Sequence, residues 1–95
     1  MESFELRPEG LTWREIDGEV VVLDLDESNY LGLNATGSAL WRLLQGGATE
    51  EELVAGLLQE FEASNDNARA DVRSFLDTCL EQGLIQRQDA GKTDP

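Results

Sequence analysis

The sequence predicts an α+β fold in which a three-stranded antiparallel meander is followed by three helices. Two tight-turn signals separate three strand-like runs in the first third of the chain. After residue 34 the apolar residues recur at helical spacing instead. With 95 residues, the chain is long enough for one small domain with a modest core and too short for two.

The three strands are predicted from alternating or β-branched runs. Residues 11–16 alternate and form the first strand, and Asp17-Gly18 marks a hairpin because both residues tolerate positive φ. Residues 19–25 are almost continuously apolar, as expected for a central strand. A turn then leads to a short third strand over residues 30–33.

A meander leaves the third strand at an edge of the sheet. Neither a charged residue nor a proline in residues 30–33 blocks pairing with another chain, although these are the usual defences of an edge strand. Gly32 allows a second backbone to approach closely. We therefore expect this edge either to be covered by the chain itself or to bind a partner.

Capping residues predict where the first two helices begin. Asn34 is a good N-cap for a helix over residues 35–45, on which Trp41 is expected in the core. Thr49 and Glu52 form a capping box at the start of a second helix. The change from strand to helix at Asn34 is where we expect the function to lie.

The third helix is predicted over residues 68–82 and ends at Gly83. Its apolar positions span about 140°, wider than the ~100° stripe that buries one face on a core. The excess predicts a second apolar contact, either along the Phe75–Cys79 side, bordered by Asp71, or along the Leu80 side. The sequence leaves these two sides open.

Composition excludes several classes of function. The formal charge is −13, which disfavours binding to nucleic acid and favours a basic peptide or a basic enzyme surface. The chain has no histidine and one cysteine, so we expect no metal site, no cofactor and no catalysis by this chain alone. We expect no signal peptide, no membrane span, a cytoplasmic location and a monomer.

The ends of the chain carry little pattern. Residues 1–10 are predicted to be a flexible N-terminus, and residues 86–95 a disordered tail. The folded domain is predicted over residues 11–85.

A set of residues running from Thr12 to Ile85 resembles the PqqD-like family of RiPP recognition elements. The resemblance is carried by Leu31-x-Leu33-Asn34-x-Thr36-Gly37-x-x-x-Trp41-x-Leu43-Leu44-x-Gly46, Thr49-x-x-Glu52-Leu53, Asp71-Val72-x-x-Phe75-Leu76 and Leu80-x-x-Gly83-Leu84-Ile85. It implies a winged-helix-like arrangement and a non-catalytic function. In this family the leader segment of a ribosomally made precursor peptide adds as a strand to the third strand and lies against the third helix.

The resemblance implies a set of peptide-binding residues on these two elements. They are Ser28, Asn29, Tyr30, Leu31, Gly32, Leu33, Asp71, Val72, Phe75, Leu76 and Cys79. Whether the Tyr30 side chain lines the groove or covers the outer face of the sheet is left open.

The sequence resembles the stand-alone domains of lasso-peptide clusters more than other members of the family. Their partners are the precursor peptide, a cysteine leader peptidase and an asparagine-synthetase-like macrolactam cyclase. One alternative is a peptide chaperone for pyrroloquinoline quinone, whose members usually have proline and aromatic residues where this chain has residues 20–29 without them. Two others are a winged-helix transcriptional regulator, which the fold alone permits, and a structural subunit of an enzyme.

Overall fold

The computed structural model describes residues 2–89 and shows an α+β fold, as predicted. Its elements in chain order are β1 (Glu2–Leu6), β2 (Leu11–Ile16), β3 (Glu19–Asp24), β4 (Asn29–Gly32), α1 (Ala35–Leu44), β5 (Ala48–Thr49), α2 (Glu50–Glu60), α3 (Asn65–Glu81) and β6 (Ile85–Asp89). The strands form two antiparallel three-stranded sheets, ordered β2-β3-β4 and β5-β1-β6. The predicted meander is the first of these sheets.

The turn chemistry of the meander matches the sequence prediction. Asp17 and Gly18 have φ values of 53° and 84°, so both central residues of the β2–β3 hairpin are left-handed, as a type I′ turn requires. Alternate residues of β3 enter the core, where Val20 and Val22 are buried at 0% and 1% exposure. Since β3 pairs with β4 on its other side, β4 is an edge strand of this sheet.

The second sheet corrects the prediction for both ends of the domain. Glu2–Leu6 form β1 instead of a flexible segment, and residues 86–89 belong to β6 instead of a disordered tail. The two strands pair from Glu2↔Asp89 to Leu6↔Ile85, and Phe4 enters the core. These segments are polar and stabilise each other only after α3 has returned the chain, so neither carries a strong local signal. Residues 1 and 90–95, also part of those predictions, lie outside the described residues.

The helix starts follow their capping residues. The Asn34 side chain accepts a hydrogen bond from the Gly37 N–H at 2.8 Å, and Thr49 forms the predicted capping box. However, α3 begins at Asn65, three residues earlier than predicted, because Ser64 accepts from the Asn67 N–H and acts as the N-cap. At its end Gly83 has φ 72°, the left-handed conformation expected of a helix stop.

One core joins the elements. It is centred on α1, whose Trp41, Leu40 and Leu44 are fully buried against the sheet and the other helices. None of the helices within residues 2–89 combines the length and the apolar content needed to cross a membrane.

An ion pair that the sequence reasoning missed ties the two sheets together. The Arg7 guanidinium, between β1 and β2, donates to the Asp24 carboxylate at 2.8 Å and to the carbonyl of Gly83 at 3.1 Å. Asp24 is buried and also accepts from the backbone N–H groups of Asp26 and Glu27. The hydrogen bond from Arg7 holds the pKa of the Asp24 carboxyl below its usual range. This carboxylate orders the turn that leads into β4.

Candidate functional site

The free edge of β4 presents two residues whose backbone groups have no partner in the sheet. The Leu33 N–H donates to the Val20 carbonyl at 2.8 Å. Because hydrogen-bonded pairs alternate along an antiparallel ladder, Leu31 also bonds to β3. Tyr30 and Gly32 therefore direct their N–H and C=O groups away from β3, toward the open edge. Four main-chain groups of β4 are thus available to an added strand.

The last rung of the β3–β4 ladder is opened by a buried side chain. The Val20 N–H donates to the Ser38 hydroxyl at 2.8 Å, and this hydroxyl donates to the Leu33 carbonyl at 3.2 Å. In a closed ladder the Val20 N–H would reach the Leu33 carbonyl directly. The hydroxyl thus separates the end of β4 from β3 at the point where the chain turns into α1. Sequence reasoning did not identify Ser38.

A groove of about 290 Å³ lies between this end of β4, the first turns of α1 and one side of α3. Five of its eleven lining residues have apolar side chains, five have polar side chains, and one is glycine. The lining residues are Leu31, Leu33, Asn34, Thr36, Gly37, Leu40, Asp71, Ser74, Phe75, Thr78 and Cys79.

Five of the predicted site residues come together in this groove by their side chains. They are Leu31, Leu33, Asp71, Phe75 and Cys79. The half-buried Phe75 ring lies against the start of α1, where a side chain at Gly37 would come within 3.5 Å of it. The groove therefore lies along the Phe75–Cys79 side of α3, which answers the question that the sequence left open. The Leu80 side borders a different cleft of about 240 Å³, which Phe4 and Arg87 also line.

The other predicted site residues lie elsewhere. Val72 and Leu76 are buried in the core at 0% and 4% exposure and do not line the groove. Each follows a groove-lining residue, Asp71 or Phe75, by one position, which turns its side chain about 100° around the helix axis and away from the groove. Tyr30 is 77% exposed and pairs across the strands with Leu23, so its side chain lies on the outer face of the sheet. Gly32 contributes backbone alone.

Ser28 and Asn29 lie at the start of β4, away from the apolar groove. Ser28 has φ 56° and belongs to the turn before the strand, and Asn29 is the first residue of β4. Asn29 lines a polar cleft beside Arg7 and Gln82. Both residues therefore lie at one end of the β4 edge.

Six residues of the groove lining are outside the predicted site set: Asn34, Thr36, Gly37, Leu40, Ser74 and Thr78. Ser74 and Thr36 line the groove but carry no apolar signal. Ser74 lies at i+3 from Asp71, and Thr78 at i+7, the spacing of residues on one helix face. Plotting polar as well as apolar residues of α3 would have placed Ser74 on the groove side.

The titratable groups of the groove do not suggest acid–base chemistry. Cys79 is 1% exposed, and burial raises the pKa of its thiol to about 12, which disfavours the reactive thiolate. Asp71 is exposed and is the one carboxylate in the groove lining. Within residues 2–89 no three Asp, Glu, Cys or His side chains lie close enough together to hold a metal ion. The groove is therefore suited to binding an extended apolar segment.

Fold and site define a small α+β domain that presents an unpaired strand edge beside a helix-lined groove. The family model described as coenzyme PQQ synthesis protein D (PqqD) matches residues 19–85, which is more than half of the chain. The chain belongs to the PqqD family, and the resemblance stated from its sequence is confirmed.

Two solved structures are similar over nearly the whole chain. "TbiB1 in Complex with the TbiA(beta) Leader Peptide" is 31% identical with a TM-score of 0.78, covering 95% of this chain and 99% of that chain. "Lasso peptide synthetase B1 complexed with the leader peptide" is 25% identical with a TM-score of 0.76, covering 87% of this chain and 96% of that one. A search of curated proteins found no match.

Proposed function

We propose that this protein is a non-catalytic RiPP recognition element, which binds the leader of a ribosomally made precursor peptide as an added strand on β4. The observation that carries the proposal is the position of the open β4 edge directly beside the apolar groove. An extended peptide on this edge gains main-chain hydrogen bonds from Tyr30 and Gly32. The two similar solved structures, each a complex with a leader peptide, support leader binding as the function.

Main-chain pairing supplies affinity, and the groove supplies specificity. Side chains alternate between the two faces of a strand, so every second residue of the bound peptide points toward α3. There it meets Leu31 and Leu33 from the sheet side and Phe75 from the helix side. Apolar leader side chains of matching size bury surface in this groove, which stabilises the complex.

The lasso-peptide pathway is the proposed setting. One similar structure is a lasso peptide synthetase B1, which supports this setting over that of pyrroloquinoline quinone. We propose that the bound leader is presented to a cysteine leader peptidase and to an asparagine-synthetase-like macrolactam cyclase. The acidic surface of the domain favours a basic leader or a basic enzyme face and raises the rate of their association.

The arrangement of charges on α3 argues against a transcriptional regulator. Arg69 donates to both Glu50 and Glu51, at 3.0 and 2.7 Å, and Arg73 donates to Glu50 at 3.1 Å. These guanidinium groups compensate the acidic start of α2. They leave α3 without a cationic face for phosphate groups, in a chain of net charge −13.

An NMR amide titration tests the proposal. The probe is a synthetic leader of the precursor peptide encoded beside the gene. We expect the largest shifts in residues 28–34 and 68–82, saturating at micromolar peptide or below. A leader that causes no shifts at concentrations well above this range contradicts the proposed function.

A matched pair of variants tests the groove. Phe75→Ala removes the ring that lines it, and we expect the affinity for the leader to fall by about tenfold, the effect of truncating one central contact residue. Phe61→Ala removes an equally half-buried ring at the end of α2, outside the groove, and should bind as the wild type. Equal losses of leader affinity in the two variants, measured by fluorescence titration, would show that the effect comes from lower stability and would contradict binding of the leader in the groove.

A further inference from the structure

We propose that the outer face of the β4 edge carries a second subsite, which takes a long cationic side chain, lysine or arginine, of the bound peptide. This outer subsite is a hollow of about 490 Å³ at the hairpin end of the sheet, which borders the groove at Leu33 and Asn34 and extends over the outer face beside Val21 and Gly32. Its lining includes Ile16, Asp17, Glu19, Val21 and Gly32. The inference rests on the proposed function, because the peptide must lie along β4 to reach the hollow.

Gly32 has no reason within the free chain to be glycine. Its φ is not in the left-handed region, and a Cβ built on it meets no atom within 4 Å. Glycine within a strand lowers stability, since it loses more backbone conformational entropy on folding than other residues and packs no side chain. Neither the backbone conformation nor internal packing therefore requires the missing side chain. A ligand that occupies the space above Gly32 supplies the reason.

Strand geometry identifies which part of the peptide occupies that space. A peptide residue opposite Gly32 has its side chain on the same face as Gly32, away from the groove. Neighbouring strands lie about 4.8 Å apart, so the peptide runs about 10 Å from β3. A side chain that crosses the gap at Gly32 and contacts Val21, its partner on β3, must be long.

The chemistry of the hollow selects an aliphatic stem with a cationic head. Val21 and the 53% exposed Ile16 offer aliphatic surface, and Asp17 and Glu19 add two carboxylates at the hairpin end. Neither carboxylate forms an ion pair with another residue in the range 2–89. Lysine and arginine bury their methylene groups on apolar surface while the charge stays in water.

Two cationic side chains near the hairpin, Arg14 and Arg42, do not line the hollow. Arg42 pairs with Glu15 and donates to the Gly18 carbonyl at 3.0 Å. Arg14 pairs with Val21 on the β2 side, two strands away from Gly32, and is not part of the lining. Asp17 and Glu19 both lie closer to the β2–β3 turn than the Arg14–Val21 pair does. An acidic peptide side chain would meet them unfavourably, so the hollow discriminates by charge as well as by length.

A size series at Gly32 tests whether the hollow is occupied. Gly32→Ala, Gly32→Val and Gly32→Ile fill it progressively with residues that suit a strand. Leader affinity, measured by isothermal titration calorimetry, should fall with side-chain size, by about tenfold for valine. The urea midpoint should stay equal to that of the wild type or rise. Gly46→Ala and Gly46→Val are the controls, because a side chain there also meets nothing, and they should bind the leader normally.

A charge-neutralising pair tests the cationic head. Asp17→Asn combined with Glu19→Gln keeps the hairpin, because asparagine tolerates the φ of 53° at position 17. Leader affinity should fall about two- to fivefold at low salt and become less salt-dependent. Glu60→Gln combined with Glu62→Gln makes the same change in net charge on exposed sites away from the sheet and should have a smaller effect.

Each result bears on one idea. If the wild type does not bind the leader, the proposed function fails. If the wild type binds and Gly32→Val binds equally well, the outer subsite is wrong while the proposed function stands. If the size series lowers affinity but the neutralised hairpin behaves like its control, the occupant is not cationic and the inference is overturned.

Discussion

Replacing Ser38 by alanine should destabilise the domain by about 2 kcal/mol, because one hydroxyl serves two buried backbone groups. The hydroxyl accepts from the Val20 N–H at 2.8 Å and donates to the Leu33 carbonyl at 3.2 Å. Ser38 and Val20 are fully buried, at 0% exposure, so water does not replace the lost partner. An unsatisfied buried donor or acceptor costs about 1–3 kcal/mol.

The strand end cannot easily close to recover these bonds. A direct bond between the Val20 N–H and the Leu33 carbonyl would require Leu33 to move toward β3. Asn34, the next residue, is held by its 2.8 Å cap on the Gly37 N–H. Moving Leu33 therefore strains the start of α1, and the loss persists.

Urea denaturation followed by tryptophan fluorescence measures the effect. For a domain of this size, 1 kcal/mol corresponds to about 4–8 °C in Tm, so Ser38→Ala should melt well below the wild type. Amide hydrogen exchange at Val20 should also become faster. Ser74→Ala is the control, since Ser74 is exposed on α3 and alanine is a good helix former. A Ser38→Ala protein within about 0.5 kcal/mol of the wild type, the usual range of surface substitutions, would refute the hydroxyl bridge.

Three further predictions concern charge and backbone conformation. Hydrogen bonding to the Arg7 guanidinium lowers the pKa of Asp24, so its stabilising contribution is complete above the unfolded pKa of about 3.9 and is lost as the pH falls through the folded value. Asp24→Asn should therefore lower the urea midpoint at pH 7 and lessen the decline of that midpoint below about pH 4. An acid profile equal to that of the wild type would contradict this. Asp71→Lys should weaken leader binding about two- to fivefold at low salt. Asp77→Lys makes an equal charge change outside the groove and should weaken binding less. Equal effects of the two variants in salt-dependent titrations would show that Asp71 acts only through the net charge of the domain and not by its position in the groove. Gly83→Ala should destabilise the domain by about 1–2 kcal/mol, because the φ of 72° at position 83 disfavours a side chain. Gly46→Ala should leave stability unchanged. Equal urea midpoints for the two variants would contradict the predicted backbone strain at position 83.

The elements that the sequence predicted well are those with local signals. The Asp17-Gly18 turn, the Asn34 cap and the capping box at Thr49 each depend on residues within a few positions, and all three are present. The edge position of β4 followed from two tight turns, which leave no other order for three strands. The one misplaced helix start arose because Ser64, a strong N-cap, is followed by three polar residues that show no apolar periodicity.

The parts that escaped prediction depend on long-range contacts. β1 and β6 pair residues 79 to 87 positions apart, and neither strand has an apolar face strong enough to predict it from the sequence. The Arg7–Asp24 ion pair and the Ser38 hydroxyl bridge also join residues distant in sequence. Apolar residues that recur every 2 or 3.6 positions indicate strands and helices, but they carry no information about which distant residues will meet.

For the candidate site, the sequence by itself determined which elements take part: a short undefended strand with Gly32, and a helix whose apolar stripe is too wide for the core alone. Only the tertiary structure decided which side chains meet. It placed Phe75 and Cys79 in the groove, Val72 and Leu76 in the core, and Tyr30 on the outer face. The physical reason is that periodicity gives the direction of a side chain relative to its own element. What that side chain faces depends on how α3 packs against α1 and the sheet.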